Sequence, residues 1–125
     1  MARCTAVLAG DQPLRTVAAI DGALWTGDVA GRLTRWTHGA DGWTHTAQWH
    51  AHTAAIRRLR DVGGALASCG EDGFMRVWDT CSLVGVFAAQ HAGFVTDVLR
   101  QGAALVTSSY DGRIARHDHI AATLA

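Results

Sequence analysis

Short apolar stretches alternate with turn signals along almost the whole chain. The clearest case is residues 65–78, where ALASC is followed by the turn residues GEDG and by FMRVW. Apolar runs of this length, bounded by Gly and Asp, predict β-strands joined by tight turns. The pattern therefore predicts an all-β protein.

The same block of residues occurs three times. Copies begin at residues 23 (ALWTGDVAGRLTRW), 65 and 104 (ALVTSSYDGRIARH), so the period is 42 and then 39 residues. A period of about 40 residues indicates an architecture built from one repeated unit. The predicted strands are residues 5–9; 14–20, 23–27, 32–36 and 43–49; 56–60, 66–69, 74–78 and 83–88; 95–99, 105–108 and 113–117, with 120–124 as a stub at most.

Residues 54–62 leave two conformations open when taken alone. Ile56, Leu59 and Val62 are spaced as on one face of a helix, among helix-favouring Ala and Arg. The equivalent residues 94–99 are rich in β-branched and aromatic side chains, which favour strands. Because equivalent positions of a repeat share a conformation, we expect a strand.

Composition and charge narrow the functional classes. The 125 residues suit a single domain, 1–125, and 11 Lys+Arg balance 11 Asp+Glu, so we expect neither nucleic acid nor a membrane as partner. Three cysteines without CxxC spacing predict neither disulfides nor a zinc site. The short apolar run 4–9 predicts no signal peptide, and no stretch reaches the roughly 20 apolar residues of a membrane span. A cytoplasmic location is expected, and a nuclear one stays open.

The units resemble the WD-repeat β-propeller family. The second unit carries the closest match: Ala51-His52, Ile56, Leu59, Leu66-Ala67-Ser68, Asp72-Gly73, Met75-Arg76-Val77 and Trp78-Asp79. The resemblance implies a partial propeller of three four-stranded antiparallel blades. Residues 1–9 would be the outer strand of a terminal or neighbouring blade, and the blade units would be 10–49, 50–89 and 90–125, the last with an incomplete outer strand.

The resemblance also implies a buried, structural hydrogen-bond relay. In the second unit it would join His52, Ser68, Asp72 and Trp78. The third unit retains His91, Thr107 and Asp111, with His117 in the tryptophan position. The first unit has Asp11 near the histidine position and Ala30 in place of the aspartate, so we expect it to depend on packing around Leu24, Trp25, Leu33 and Trp36.

Partners of this family usually dock on the narrow face of the ring. The matching positions are Pro13, Arg15 and Val29; Ala55, Arg57 and Glu71; Phe94, Thr96 and Tyr110. Arg, Tyr and Phe are suited to binding hot spots. We therefore expect a protein-binding site at Arg15, Arg57, Glu71, Phe94 and Tyr110, in a non-enzymatic interaction scaffold without cofactor, catalytic residue or metal.

Alternatives stay open for assembly and for function. Three blades cannot close a ring, so either copies of the chain assemble or the chain is a fragment of a larger propeller. The chain could also be a purely structural arc. A metal-dependent or hydrolytic enzyme could use the pairs His50/His52 and His117/His119, or Ser68 with His52 and Asp72. Trp43 and Trp49 are candidates for an exposed edge.

Overall fold

Eleven strands form three antiparallel sheets in the computed structural model, which describes residues 2–118. The first sheet has the order β1 (Leu14–Ile20), β2 (Ala23–Asp28), β3 (Arg32–Gly39), β4 (Gly42–His50). The second has the order β5 (Ile56–Asp61), β6 (Leu66–Gly70), β7 (Phe74–Trp78), β8 (Gly85–Gln90). The third has the order β9 (Val95–Gln101), β10 (Ala104–Ser109), β11 (Ile114–His117).

The all-β prediction is confirmed. Each sheet is a meander of strands that follow one another in the chain, and within residues 2–118 no sheet closes on itself. That same part of the chain holds no helix long and apolar enough to cross a membrane. The predicted stub at residues 120–124 lies outside the described residues.

Two turn glycines accept hydrogen bonds from the loops that lead into the following sheet. Gly31 and Gly73 have φ angles of 84° and 87°, which favour glycine. The carbonyl of Gly31 accepts a hydrogen bond from His52 N, and that of Gly73 accepts one from His91 N, at 3.1 and 2.8 Å. A Cβ on Gly73 would lie 2.9 Å from the carbonyl oxygen of His91. These turns therefore hold the chain where it enters the following sheet.

Two apolar clusters hold the three sheets side by side, with the strands β1, β5 and β9 next to one another. The cluster between the first and second sheets includes Trp25, Leu33 and Ile56. The cluster between the second and third includes Met75 and Val98. The second sheet thus buries both of its faces, and every residue of β6 is buried.

A β-bulge explains why Ile56 and Leu59, three residues apart, lie on one face of a strand. Val62, the third residue of the helix-like spacing, follows β5 and packs in the cluster between the second and third sheets. The register of β5 against β6 shifts between Ile56 and Arg58, so two residues oppose one at that point. Because the bulge interrupts the alternation of the strand, Ile56 and Leu59 both face the first sheet. Similar shifts occur at the starts of β1 and β9. The strand prediction for this segment is confirmed.

Three tryptophans lie in a row between the first and second sheets. Trp49 makes edge contacts with Trp25 at 6.2 Å and with Trp78 at 5.5 Å between ring centroids. Trp49 does lie on the edge strand β4, but its ring is half-buried against the second sheet rather than fully exposed. Trp43 on the same strand is also half-buried; it makes an edge contact with His38 and, among residues 2–118, belongs to neither apolar cluster.

The predicted N-terminal strand is not formed. Residues 2–13 contain no strand and pair with no sheet edge. Leu8 instead lines a cleft of about 430 Å³ on the outer face of the first sheet, together with Leu24 and Trp36. Leu8 is thus half-buried at this apolar face without a strand partner, and the third sheet receives no strand from this segment.

We expect Trp78→Ala to lower the free energy of unfolding by about 3 kcal/mol, the lower end of the usual range for truncating a core aromatic, because the Trp78 ring is half-buried and packs against the cluster between the first and second sheets. The substitution removes the contact with Trp49 and a hydrogen bond to Ser68. Trp43→Ala is the matched control and should cost far less. Urea unfolding of both variants measures the difference, and equal losses would contradict this account of the packing.

Candidate functional site

Five side chains from all three sheets form one surface cluster, which we call the rim cluster: Arg15, Arg57, Glu71, Phe94 and Tyr110. Arg15 and Arg57 lie near the starts of β1 and β5, and Phe94 directly precedes β9. Glu71 and Tyr110 directly follow β6 and β10. In an antiparallel sheet these positions meet at the same end, so the topology gathers the five residues.

Backbone hydrogen bonds fix the loops that carry the rim cluster. Tyr110 N donates to Phe94 O at 2.9 Å, and Glu71 N donates to Ala55 O at 2.8 Å. An equivalent bond joins Val29 N to Pro13 O at 3.1 Å in the first sheet. Each turn after the second strand of a sheet is therefore tied to the loop that precedes the first.

Arg57 joins the polar half of the rim cluster. Its Nη1 donates to Glu71 Oε2 at 2.7 Å, and its Nη2 donates to the Tyr110 hydroxyl at 3.1 Å. Arg15 Nη2 lies 3.8 Å from the same Glu71 oxygen. One carboxylate thus faces two guanidinium groups, which leaves the cluster with a positive charge in excess.

Two aromatic rings form the other half of the rim cluster. Phe94 and Tyr110 are stacked with ring centroids 5.4 Å apart, and they are 37% and 65% exposed. The guanidinium carbon of Arg57 lies 5.0 Å from the Tyr110 ring centroid and 5.8 Å from that of Phe94. Arg57 therefore holds an exposed aromatic pair in a defined position by a cation–π contact and a hydrogen bond.

The remaining positions considered from the sequence border the rim cluster less directly. Ala55 is buried, whereas Pro13 is exposed and Val29 half-buried. Thr96 uses its hydroxyl in a 2.8 Å hydrogen bond with Ser108. None of these side chains contributes a polar contact to the five residues. The predicted site is thus gathered in one place, while its role in binding stays a prediction.

The structure brings His52, Ser68, Asp72 and Trp78 into one hydrogen-bonded chain. Trp78 Nε1 donates to Ser68 Oγ at 2.9 Å, Ser68 Oγ lies 2.7 Å from His52 Nε2, and His52 Nδ1 lies 2.9 Å from Asp72 Oδ1. With a neutral imidazole protonated on Nδ1, all three donors point toward the carboxylate. The four polar side chains satisfy one another, which keeps their burial inexpensive.

Burial and hydrogen bonding set the protonation states of His52 and Asp72. It lowers the pKa of His52 below the ordinary 6.5, although Asp72 acts in the opposite direction. Burial also raises the pKa of Asp72, but hydrogen bonds from His52 and from the backbone N–H groups of Phe74 and Thr53 outweigh it, so that pKa is lowered. The favoured state is a neutral imidazole beside a carboxylate.

The third sheet repeats this arrangement with one replacement. His91 Nδ1 lies 2.9 Å from Asp111 Oδ2, and His91 Nε2 lies 2.7 Å from Thr107 Oγ1. His117 Nε2 lies 3.2 Å from the same hydroxyl, in the position of the indole donor. Burial and the neighbouring His91 lower the pKa of His117, which favours its neutral form.

The first sheet uses a different polar group, which the sequence reasoning missed. Trp36 Nε1 still donates to Thr26 Oγ1 at 2.9 Å, so the indole and hydroxyl pair is retained. Asp28 is buried and accepts hydrogen bonds from Ala30 N and from Arg32 N and Nε, at 2.9, 3.0 and 3.1 Å. Arg32 also pairs with Asp11. The sequence signal for this group is Asp28 itself, which stands at the repeat position where the second unit has Gly70.

The histidine pairs do not converge on a metal site within the described chain. His50 is exposed at the end of β4, whereas His52 is buried in the hydrogen-bonded chain. His117 contacts Thr107, and His119 lies outside the described residues. Among residues 2–118, no group of three or more His, Cys, Asp or Glu side chains is placed to hold a metal ion.

Comparison with known proteins found no match, either to a protein-family model or to a curated protein sequence.

We expect Gly70→Ala to destabilise the fold by about 1–3 kcal/mol, the usual cost of overpacking, since the added Cβ would overlap the His52 ring and lie 2.5 Å from Asp72 Oδ1. Gly85→Ala is the control, because its Cβ would meet only the Trp78 ring, at 3.5 Å. Urea unfolding compares the two variants. A Gly70→Ala variant as stable as the wild type would contradict the geometry of the hydrogen-bonded side chains around His52.

We expect stability to fall as the pH drops below 6.5, the ordinary histidine value. Because the pKa of His52 is lower in the folded state, the unfolded state takes up the proton first, so the contribution is complete above 6.5 and is lost on acidification. His52→Gln should be less stable at neutral pH and should show a shallower slope. Urea midpoints across a pH series test this, and an unchanged slope would refute it.

Proposed function

We propose that the protein is a non-enzymatic interaction scaffold of the WD-repeat type, which binds a protein partner through the rim cluster. The observation that carries the proposal is the exposed Phe94 and Tyr110 stack, held in place by Arg57. Aromatic and Arg side chains contribute most to protein interfaces, and side chains that are already ordered lose less entropy on binding.

The contacts between sheets support assignment to WD-type blades. Three meanders of similar register lie with β1, β5 and β9 side by side, as the innermost strands of propeller blades do. The hydrogen-bonded chain around His52 matches the relay implied by the resemblance in every member. The chain around His91 matches it except at His117.

The composition of the rim cluster favours a polypeptide as ligand. Two stacked rings offer apolar surface to a side chain of the partner, while the two guanidinium groups can donate to carbonyl or carboxylate oxygens. Glu71 satisfies part of this donor capacity and leaves the rest available on the surface. A partner segment with an apolar side chain next to an acidic one fits both halves.

Binding is favoured over hydrolysis by the burial of Ser68. Its side chain is fully buried within β6, and its hydroxyl is shared between His52 and Trp78. A nucleophile must reach a substrate carbonyl, and a hydroxyl inside a sheet core cannot. The proposed role of His52, Ser68 and Asp72 is therefore to hold the strands at the correct angle.

We expect the double substitution Arg57→Ala with Tyr110→Ala to weaken binding of selected peptides by about 2 kcal/mol or more, roughly 30-fold. Peptides are first selected on the wild-type chain from a displayed random library. Isothermal titration calorimetry then compares their affinity for the wild type and the variant. Both substituted side chains are surface groups of the rim cluster, so the fold should persist.

The matched control is Arg100→Ala with Val84→Ala. Arg100 is exposed and donates to Gly102 O at 3.0 Å, at the opposite end of β9, and Val84 is 58% exposed. This variant should bind the peptides like the wild type. Thermal unfolding confirms that both variants are folded. Equal affinity for the wild type and the Arg57/Tyr110 variant would reject the rim cluster as the binding site.

A further inference from the structure

Within residues 2–118, the first and third sheets each carry exposed apolar side chains on the face turned away from the second sheet. On the first sheet, Leu14 and Val17 are 42% and 64% exposed. On the third sheet, Leu99 and Ile114 are 52% and 77% exposed and border a shallow cleft of about 170 Å³ with Val106. Exposed apolar side chains that cluster in this way mark association surfaces.

The repeat identifies what each open face is shaped to contact. Leu14 and Val17 occupy the positions of Ile56 and Leu59 in the second unit, which are buried against the first sheet. The same positions in the third unit are Val95 and Val98, which are buried against the second sheet. The open face of the first sheet thus carries the same residue positions that the second sheet uses against the first and the third sheet uses against the second.

The open face of the third sheet is the other half of that interface. Val106 and Ile114 occupy the positions of Ala67 and Met75, which are completely buried between the second and third sheets. Whatever covers Leu14 and Val17 should therefore resemble the outer face of the third sheet. The chain itself carries that surface at its opposite end.

Charge differs between the internal junctions and the two ends. Arg116, beside Val106 on the outer face of the third sheet, occupies the position of the buried Val77 and pairs with Asp118 at 2.8 Å. Between the second and third sheets, Arg60 forms a bidentate ion pair with Asp97, with distances of 2.9 and 3.0 Å. Leu99 occupies the position of Arg60 in the third unit, and Thr16 occupies the position of Asp97 in the first. Both members of the ion pair are replaced by uncharged residues, so a junction between the ends buries no unpaired charge there.

The N-terminal segment shares part of the first face. Leu8 lines one cleft with Leu14, Val17 and Leu24. Leu24 occupies the position of Leu66 and Leu105, which are buried at the internal junctions. Leu14 and Val17 nevertheless remain 42% and 64% exposed. A third sheet that packs on β1 therefore meets Leu8 as well as Leu14 and Val17.

We propose that copies of this chain associate head to tail, with the outer face of the third sheet of one copy on the outer face of the first sheet of the next. Leu99, Val106 and Ile114 of one copy contact Leu14 and Val17 of its neighbour. Such an interface is heterologous, so it continues the stack until the rotation closes a ring. The proposal is distinct from peptide binding, because none of these five contact residues belongs to the rim cluster, although Arg15 of that cluster lines the same cleft as Leu14 and Val17.

The test uses the full chain, with Val17→Asp and Leu99→Asp as separate single variants. Light scattering after size-exclusion chromatography should give the wild type a multiple of the 13.3 kDa chain mass and each variant the mass of one chain. An equimolar mixture of the two variants should form a dimer, because one copy keeps Leu99 and the other keeps Val17. That mixture retains a single intact junction.

Two further single variants, Val84→Asp and Ile114→Asp, complete the test. Val84→Asp changes an exposed apolar residue away from both end faces and should leave the assembly intact. Ile114→Asp should behave like Leu99→Asp, which provides a second variant of the same face. A monomeric wild type over the whole concentration range would overturn the proposal, as would assembly that survives in the single variants. A mixture that stays monomeric would also overturn it, because the intact face of one variant would then not bind the intact face of the other.

Discussion

Burial of both faces of a sheet is the constraint on which the rest of this structure depends. Every residue of β6 is buried, so the second sheet needs an apolar neighbour on each side. A sheet of this kind is not stable alone, and its stability comes from contacts with adjacent units. The first and third sheets carry the same residue pattern but have one such neighbour each within the described chain. The two open faces follow directly from that difference.

Within this stack, polar chemistry sets the geometry at one end of the strands. The hydrogen-bonded side chains around His52 and His91 join the loop before a sheet to the second strand of that sheet and to the turn after that strand. The backbone bonds of Glu71 and Tyr110 tie those turns to the loops that precede β5 and β9. The rim cluster lies on these fixed loops, so the buried hydrogen bonds support the position of the exposed side chains.

The sequence was sufficient for the parts of the fold that repeat. Turn residues and apolar runs located the strands, and equivalence between units decided for strand at Ile56 and Leu59, where local spacing was ambiguous. The ambiguity had a physical cause, since a bulge in β5 gives a strand the spacing of a helix. That Arg57, Glu71 and Tyr110 lie at one end of the sheets was implied by the resemblance to WD repeats, but their mutual contacts depend on side-chain conformations that no pattern specifies.

Features that do not repeat could not be predicted in the same way. The segment around Leu8 lies on a sheet face rather than at a strand edge, and its choice depends on a tertiary contact with Leu24 and Trp36. In the first sheet Asp28 pairs with Arg32. Asp28 stands where the second unit has Gly70, so the repeat marks the position as different but does not name its partner. Trp49 lies against the second sheet because the sheets stack, which the alternation along β4 alone does not show.

The distribution of aromatic residues gives the two ends of the molecule different optical properties. All five tryptophans belong to the first two sheets, and three of them form the row from Trp25 through Trp49 to Trp78. The single tyrosine, Tyr110, follows β10 in the third sheet. Indole fluorescence therefore reports on the junction of the first two sheets and is nearly blind to the third. Opening of the third sheet alone would be visible in the tyrosine signal while the tryptophan signal stayed native.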